Sequence, residues 1–279
     1  MNIKFQTAGW DVQTLEDDLK SLKTTLGFPC EFSYIVNPCS VSRSPDDIAI
    51  AFYAKNEIKT GIPLVEMNSE YFEIEDMQKR ILILLHEIIH CCQRVNELEK
   101  INIKYMVDLV EQIIAIEKQY LESHYNDAQF YRLNSSLNVI GLFSSWIFEI
   151  WDEMYLKTNY SDIFEVKLEI TFERIGEISD SAYDNYGKWS KYAVFTDLVR
   201  ACYLKKIAEG LQVSEKFEKL FCKLELKLEK ITTAHEFNDL MSNLKCLTHI
   251  EGYANSDTSI LEASYDKLIE QMINDLPYP

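Results

Sequence analysis

Over roughly the first seventy positions, apolar residues fall in short alternating runs; from about residue 75 onward they recur at steps of three and four. Residues 2–6 alternate weakly and predict a first strand. Asp11 is placed to cap a helix whose apolar positions are Val12, Leu15, Leu19, Leu22 and Leu26, and Gly27 and Pro29 end it. Residues 31–37 predict a second strand with Phe32, Tyr34 and Val36 on one face. The following run, 38–47, is rich in Ser, Pro and Asp and reads as a loop. Residues 48–54 form the clearest strand, 55–61 turn the chain, and 62–68 return as the second strand of a hairpin. Glu75 or Asp76 then begins a helix.

Beyond Asn102 the pattern is almost wholly helical, with segments at 103–123, 136–157, 163–177, 187–208, 214–230, 234–247 and 258–274. Clusters of Asn, Asp, Ser and Gly separate them, and no internal repeat or flexible linker interrupts them. The expected fold class is α+β. A small mixed α/β lobe, 1–95, ends in the helix that starts near residue 75. A larger, mainly helical lobe, 96–279, packs on it, with that helix along the seam.

The helix near residue 75 carries the chemistry. It contains His86-Glu87-Ile88-Ile89-His90, set between the apolar run 81–85 and Cys91-Cys92. Residues four apart on a helix stand one turn above the other on the same face, so the two imidazoles can grip one zinc ion. Glu87 is then placed to reach a water on that ion. With five His in the whole chain, this spacing arises by chance in roughly one such sequence in a hundred. The competing reading is a buried helix that carries two satisfied histidines.

In these residues the chain resembles the zincin metallopeptidases, whose active-site helix bears this motif in an apolar surround. The element order strand, helix, three strands, motif helix is also similar to the N-terminal half of zincins. In those enzymes the last strand before the helix is an exposed sheet edge that pairs with an extended peptide. The resemblance therefore implies that 62–68, with Leu64, Val65, Glu66 and Met67 at its centre, binds substrate; an ordinary edge strand is the alternative.

A catalytic zinc needs a third protein ligand, with the fourth position left to water. A third His at short spacing is absent, since the next is His124, so a downstream carboxylate is expected. Glu111 follows His90 after twenty residues, close to the thermolysin spacing, and Glu149 after fifty-eight. Glu149 is preferred. Its helix is apolar nearly all round, with Leu142, Phe143, Trp146, Ile147, Ile150, Trp151 and Met154, and a buried carboxylate is costly without a metal or hydrogen bonds. Asp152 is expected on the side opposite that helix's most apolar face. Glu149 and Glu153 form E-x-x-x-E, similar to the E-x-x-x-D of the gluzincin group. That resemblance implies that Glu149 ligates zinc and Glu153 orients the ring of His86 or His90. Here Glu stands for Asp, one methylene longer. Cys39 ahead of an H-E-x-x-H motif is also a peptide deformylase feature, but the glycine-cysteine-leucine context of that family is missing.

Charge and cysteine content narrow the setting. Lys and Arg total 28 against 45 Asp and Glu, a net charge of −17, which repels phosphate backbones and anionic lipid. Nucleic acid and membrane are therefore not expected as partners. Seven irregularly spaced Cys predict reduced thiols rather than a disulfide framework. The first residues have no basic region followed by an apolar run, and the apolar stretches 81–92 and 137–151 are too short to span a bilayer. The expectation is a soluble cytosolic zinc metallopeptidase that hydrolyses a peptide or protein, with Glu87 as general base. The alternative is a non-catalytic zincin-like metal protein or a peptide-binding module. Glu87 discriminates, because a purely structural zinc needs no acid between its ligands.

Overall fold

The computed structural model describes residues 3–5, 12–28, 34–39, 49–52, 62–95, 111–112, 115, 149–150, 152–176, 183, 189–249 and 258–275. These residues carry both a sheet and many helices, an α+β composition. By internal contacts the chain divides into two compact units: 1–99 with 151–167, and 100–150 with 168–279.

The first unit holds a four-stranded sheet in the order β1-β2-β4-β3, formed by Ile3–Phe5, Tyr34–Cys39, Leu64–Asn68 and Ala49–Phe52 respectively. Strands β1 and β4 both run parallel to β2, while β3 runs antiparallel to β4. The parallel β1–β2 pair requires a crossover, and α1 (Gln13–Ser21) lies within it. After α1 the chain widens into a π-helical turn, Leu22–Leu26, and Gly27 ends it at φ 80, a left-handed conformation suited to glycine. The capping role expected of Asp11 and the turn at 55–61 lie outside the described residues.

The hairpin expected between 48–54 and 62–68 is present as β3 and β4, with Ala51 opposite Val65. The strand expected at 31–37 reaches further at its C-terminal end: β2 runs on through Pro38 to Cys39, opposite Met67 and Asn68 of β4, while 31–33 lie outside the described residues. Proline has no N–H to give a ladder. Among the described residues β1 pairs with β2 at Tyr34 to Val36, and only β4 pairs with β2 beside Pro38, so the missing N–H is tolerated there.

The sheet order corrects one expectation. Strand β4 is not an edge; β2 pairs along one side of it and β3 along the other. Leu64, Val65, Glu66 and Met67 already spend their backbone groups on those neighbours, which leaves no free ladder for an extended peptide. In the described sheet the outer strands are β1 and β3.

Asn68 caps the short helix α2 (Ser69–Glu73), its Oδ1 accepting from the Ser69 N–H at 2.6 Å. Helix α3 (Met77–Val95) follows. Its start is fixed by Asp76, whose Oδ1 accepts from the Gln78 N–H at 2.9 Å. Arg80 then clasps α1: Nε and Nη2 donate to the two carboxylate oxygens of Asp18 at 2.7 and 3.1 Å. Tyr71 donates its hydroxyl to the same carboxylate at 2.8 Å. Burial, then the Asp18 charge, pushes the Tyr71 phenol well above its ordinary range, so it stays a donor. Along α3, Ile81, Leu82, Leu84, Leu85, Ile88, Ile89, Cys91 and Cys92 are buried. The helix packs chiefly on β3, and also on α1 and β4. Burying this apolar surface holds α3 in register, each fully buried Leu or Ile contributing about 1.5–3 kcal/mol.

Residues 152–159 are helical (α4), as are 149–150, and α5 (Ser161–Gly176) follows. In the second unit, α6 (Ser190–Ile207) is buried nearly all round through Val194, Phe195, Leu198, Val199, Tyr203 and Leu204. Helix α7 (Val213–Ile231) packs along it. Helices α8 (Ala234–Leu247) and α9 (Ser259–Asn274) pack on each other. A capping box starts α8: Thr233 Oγ1 accepts from the Glu236 N–H while Glu236 Oε2 accepts from the Thr233 N–H. Each of these four helices matches its predicted segment closely. Of the segments 103–123 and 136–148, the described residues 111, 112 and 115 are helical and the rest lie outside the description.

Candidate metal centre

Residues 86 and 90 are one helical turn apart on α3, and the apolar burial of 81–89 fixes which way that turn faces. The rings of His86 and His90 lie edge to face with centroids 4.4 Å apart. Their Nε2 atoms point at each other across 3.1 Å. Two nitrogens on one tetrahedral zinc, each at the usual bond length, stand about 3.3 Å apart. The pair is therefore set almost as a shared cation requires.

Both rings are only half-buried, so exchange with solvent is open to them. Glu87, one residue on, is 7 % exposed, and its Oε1 is 3.9 Å from His86 Nε2. Its position in the chain turns it about 100° around the helix from His86, so it flanks the nitrogen pair rather than joining it.

Behind the pair stands an acid that the sequence reading placed elsewhere. Asp152 on α4 is 0 % exposed, and its Oδ2 is 2.8 Å from His86 Nδ1. A ring that donates Nδ1–H to a carboxylate presents the Nε2 lone pair outward and becomes a stronger ligand. Lys167 on α5 is also buried, and its ammonium donates to Asp152 Oδ2. The same Nζ is 3.0 Å from His86 Nδ1.

Two imidazoles with Nε2 atoms this close fit the histidine part of a catalytic zinc's ligand set, to which a carboxylate adds the third ligand. Glu149 is half-buried, and Arg200 on α6 approaches its Oε2 at 3.5 Å. Glu111, the other candidate, is exposed.

At His86 the acid in contact with the ring is Asp152. Glu153 is just as buried, one residue further along the same helix. A signal for Asp152 did exist, because an acid three residues after Glu149 shares its helix face as well as one four residues after. Nothing in the sequence marks Lys167, which lies sixteen and more residues from every other member of the site except Asp152 and Glu153.

No family model matches the chain, and neither a curated protein nor a solved structure does.

Proposed function

We propose that the chain is a zinc-dependent metallopeptidase of the gluzincin-like type, with zinc held by His86, His90 and Glu149. The observation that carries this reading is the pairing of the His86 and His90 Nε2 atoms at 3.1 Å beside a buried carboxylate, Glu87, that belongs to the same motif; Glu149 enters as the third ligand on the sequence pattern. Zinc in such a set lowers the pKa of a bound water toward neutrality and polarises a carbonyl oxygen.

The remaining roles belong to the chain itself. Glu87 accepts a proton at a carboxylate oxygen as water adds to the scissile carbonyl carbon, then returns it to the leaving amine nitrogen. One C–N bond breaks, one C–O bond forms, and the two protons of the water end on the new amine and carboxylic acid. General-base catalysis of this kind contributes roughly 10²–10⁴ in rate. Asp152 keeps the His86 ring turned, and the buried flank of α3 keeps both imidazoles on one face. An extended peptide that adds to the sheet does so at an outer strand, and β3, which packs on the motif helix, is the one near α3.

The cytosolic setting is part of the proposal. Cys91, Cys92, Cys202, Cys222 and Cys246 are joined in no disulfide among the described residues, as a reducing compartment favours. Among the described residues no helix is long and apolar enough to cross a membrane. The strongly acidic chain argues against nucleic acid as a partner.

The test is hydrolysis of a broad peptide library by the purified, zinc-supplied protein, with and without a chelator. Cleavage that the chelator abolishes and zinc restores is the expected result. Tight zinc binding with no cleavage of any peptide would leave the non-catalytic metal protein or peptide-binding module in its place.

A further inference from the structure

Asp152 is a carboxylate with no exposure to solvent, and such a charge is costly unless it is paired. Its Oδ1 is buried with no hydrogen-bond donor against it among the described residues, so compensation falls on Oδ2. Two groups meet Oδ2: the ring Nδ1 of His86 at 2.8 Å and the ammonium of Lys167. Since Lys167 Nζ also stands 3.0 Å from Nδ1, that ring nitrogen has an acceptor and a donor within reach.

This dual contact suits both neutral tautomers of His86. With the proton on Nδ1, the ring donates to Asp152 and the Nε2 lone pair is free for a metal. With the proton on Nε2, the ring donates across the 3.1 Å gap to His90 Nε2, and Nδ1 needs a donor, which Lys167 supplies. The second arrangement satisfies both Nε2 atoms and His86 Nδ1 without any cation.

We propose that Lys167 is a positioning residue that keeps the two-histidine site assembled while it is free of metal. It does so as counter-ion to Asp152 and as donor to His86 Nδ1. This rests on the reading of His86 as a metal ligand. A dication at the histidines opposes the Asp152 charge by itself and repels the ammonium beyond it. Lys167 therefore favours the metal-free form over the loaded one. Its removal lowers metal-free stability yet tightens metal binding, the reverse of what loss of a residue that merely orients a ligand produces.

The test compares the full-length wild type with Lys167→Met, each stripped by chelator and then titrated with zinc. Metal-free Lys167→Met melts several degrees below wild type, the gap narrows at saturating zinc, and its zinc affinity rises roughly tenfold. Equal metal-free melting, or weaker zinc binding by the variant, overturns the proposal. If Lys167→Met does not fold, Lys167→Arg and Lys167→Gln replace it. Arg keeps the charge and melts near wild type, Gln melts lower, and equal melting of the two overturns the counter-ion role. A wild type that takes up no zinc defeats the metal reading alone, while the metal-free melting comparison still decides the role of Lys167.

Discussion

The Nε2 atoms of His86 and His90 face each other at 3.1 Å on one face of α3. Two neutral imidazoles so placed share at most one proton between those atoms, and a cation that accepts both lone pairs satisfies them more fully. The protein purified without chelator should therefore carry close to one zinc per chain by elemental analysis. His86→Ala, which removes half of the pair, should abolish that zinc. Equal metal content in wild type and variant, after zinc has been supplied to both, would sink the assignment.

Glu87 differs from its neighbours in being an acid that the motif retains although the metal does not need it as a ligand. Replacing it with Gln keeps its volume and its place in the packed flank of α3, so fold and zinc content should be unchanged. Peptide hydrolysis should fall by at least about a hundredfold, with the loss in kcat rather than in zinc affinity. A Glu87→Gln protein as active as wild type would remove the general-base role and leave the metal site standing.

What could be read from the sequence was whatever depends on neighbours along the chain. Periodicity locates α6 to α9 within a few residues, and the spacing of His86 and His90 puts the two rings together, because both are properties of a single helix. Strand order is different. That β4 is enclosed by β2 and β3 is set by pairing between segments more than ten residues apart, which no local pattern of Leu64–Met67 encodes. Pro38 misled for a related reason: it breaks a strand only where its missing N–H is needed, and among the described residues only β4 pairs beside it. Asp152 was assigned to the side opposite its helix's most apolar face, where no partner for it could be read from the chain nearby. The helix is instead buried on the side of Asp152 as well, and the carboxylate is accommodated there by His86 and Lys167. That compensation comes from α3 and α5, far off in sequence.

A pH dependence follows from the second unit. The Lys191 ammonium donates to Glu236 Oε1 at 2.5 Å, and Thr233 donates to the same carboxylate through its backbone N–H at 2.8 Å. These bonds hold the Glu236 carboxyl at about 2, against an ordinary value of 4.5. A depressed carboxyl stabilises the fold above its unfolded pKa and loses that contribution as pH falls through the folded one. Glu236→Gln should therefore be less stable than wild type at pH 7, and the gap should close between about pH 5 and pH 2. The side chain is 39 % exposed, so screening keeps the difference below about 1 kcal/mol. Denaturant unfolding at the two pH extremes measures it; a gap that stays constant with pH refutes the linkage.

The third ligand is tested by two glutamates that differ in company. Glu149 is half-buried and followed closely by the buried acids Asp152 and Glu153, whereas Glu111 is an exposed helical residue. Glu149→Ala should weaken zinc binding by more than the 10–100-fold typical of residues that only orient a ligand. Arg200, left without that carboxylate, should add a modest loss of stability. Glu111→Ala should bind zinc as wild type does. A Glu111 variant that alone loses its metal would transfer the ligand role.

Two neighbouring acids on α4 decide how the ligand His86 is held. Asp152 reaches Nδ1 of that ring at 2.8 Å, while Glu153 follows it one residue on and is buried to the same degree. Substituting Asn for Asp152 preserves the size of the side chain and removes the charge that strengthens the imidazole as a ligand. Zinc affinity should fall by roughly 10–100-fold in Asp152→Asn. Because Lys167 then faces a neutral amide in a buried setting, the variant should also lose stability, on the order of the 3–5 kcal/mol seen when one partner of a buried ion pair is removed. Glu153→Gln leaves the His86–Asp152 bond in place, so its zinc affinity should stay within about threefold of wild type. Competition titration against a chromophoric chelator separates the two variants. Unchanged affinity in Asp152→Asn, together with a large loss in Glu153→Gln, would return the orienting role to Glu153.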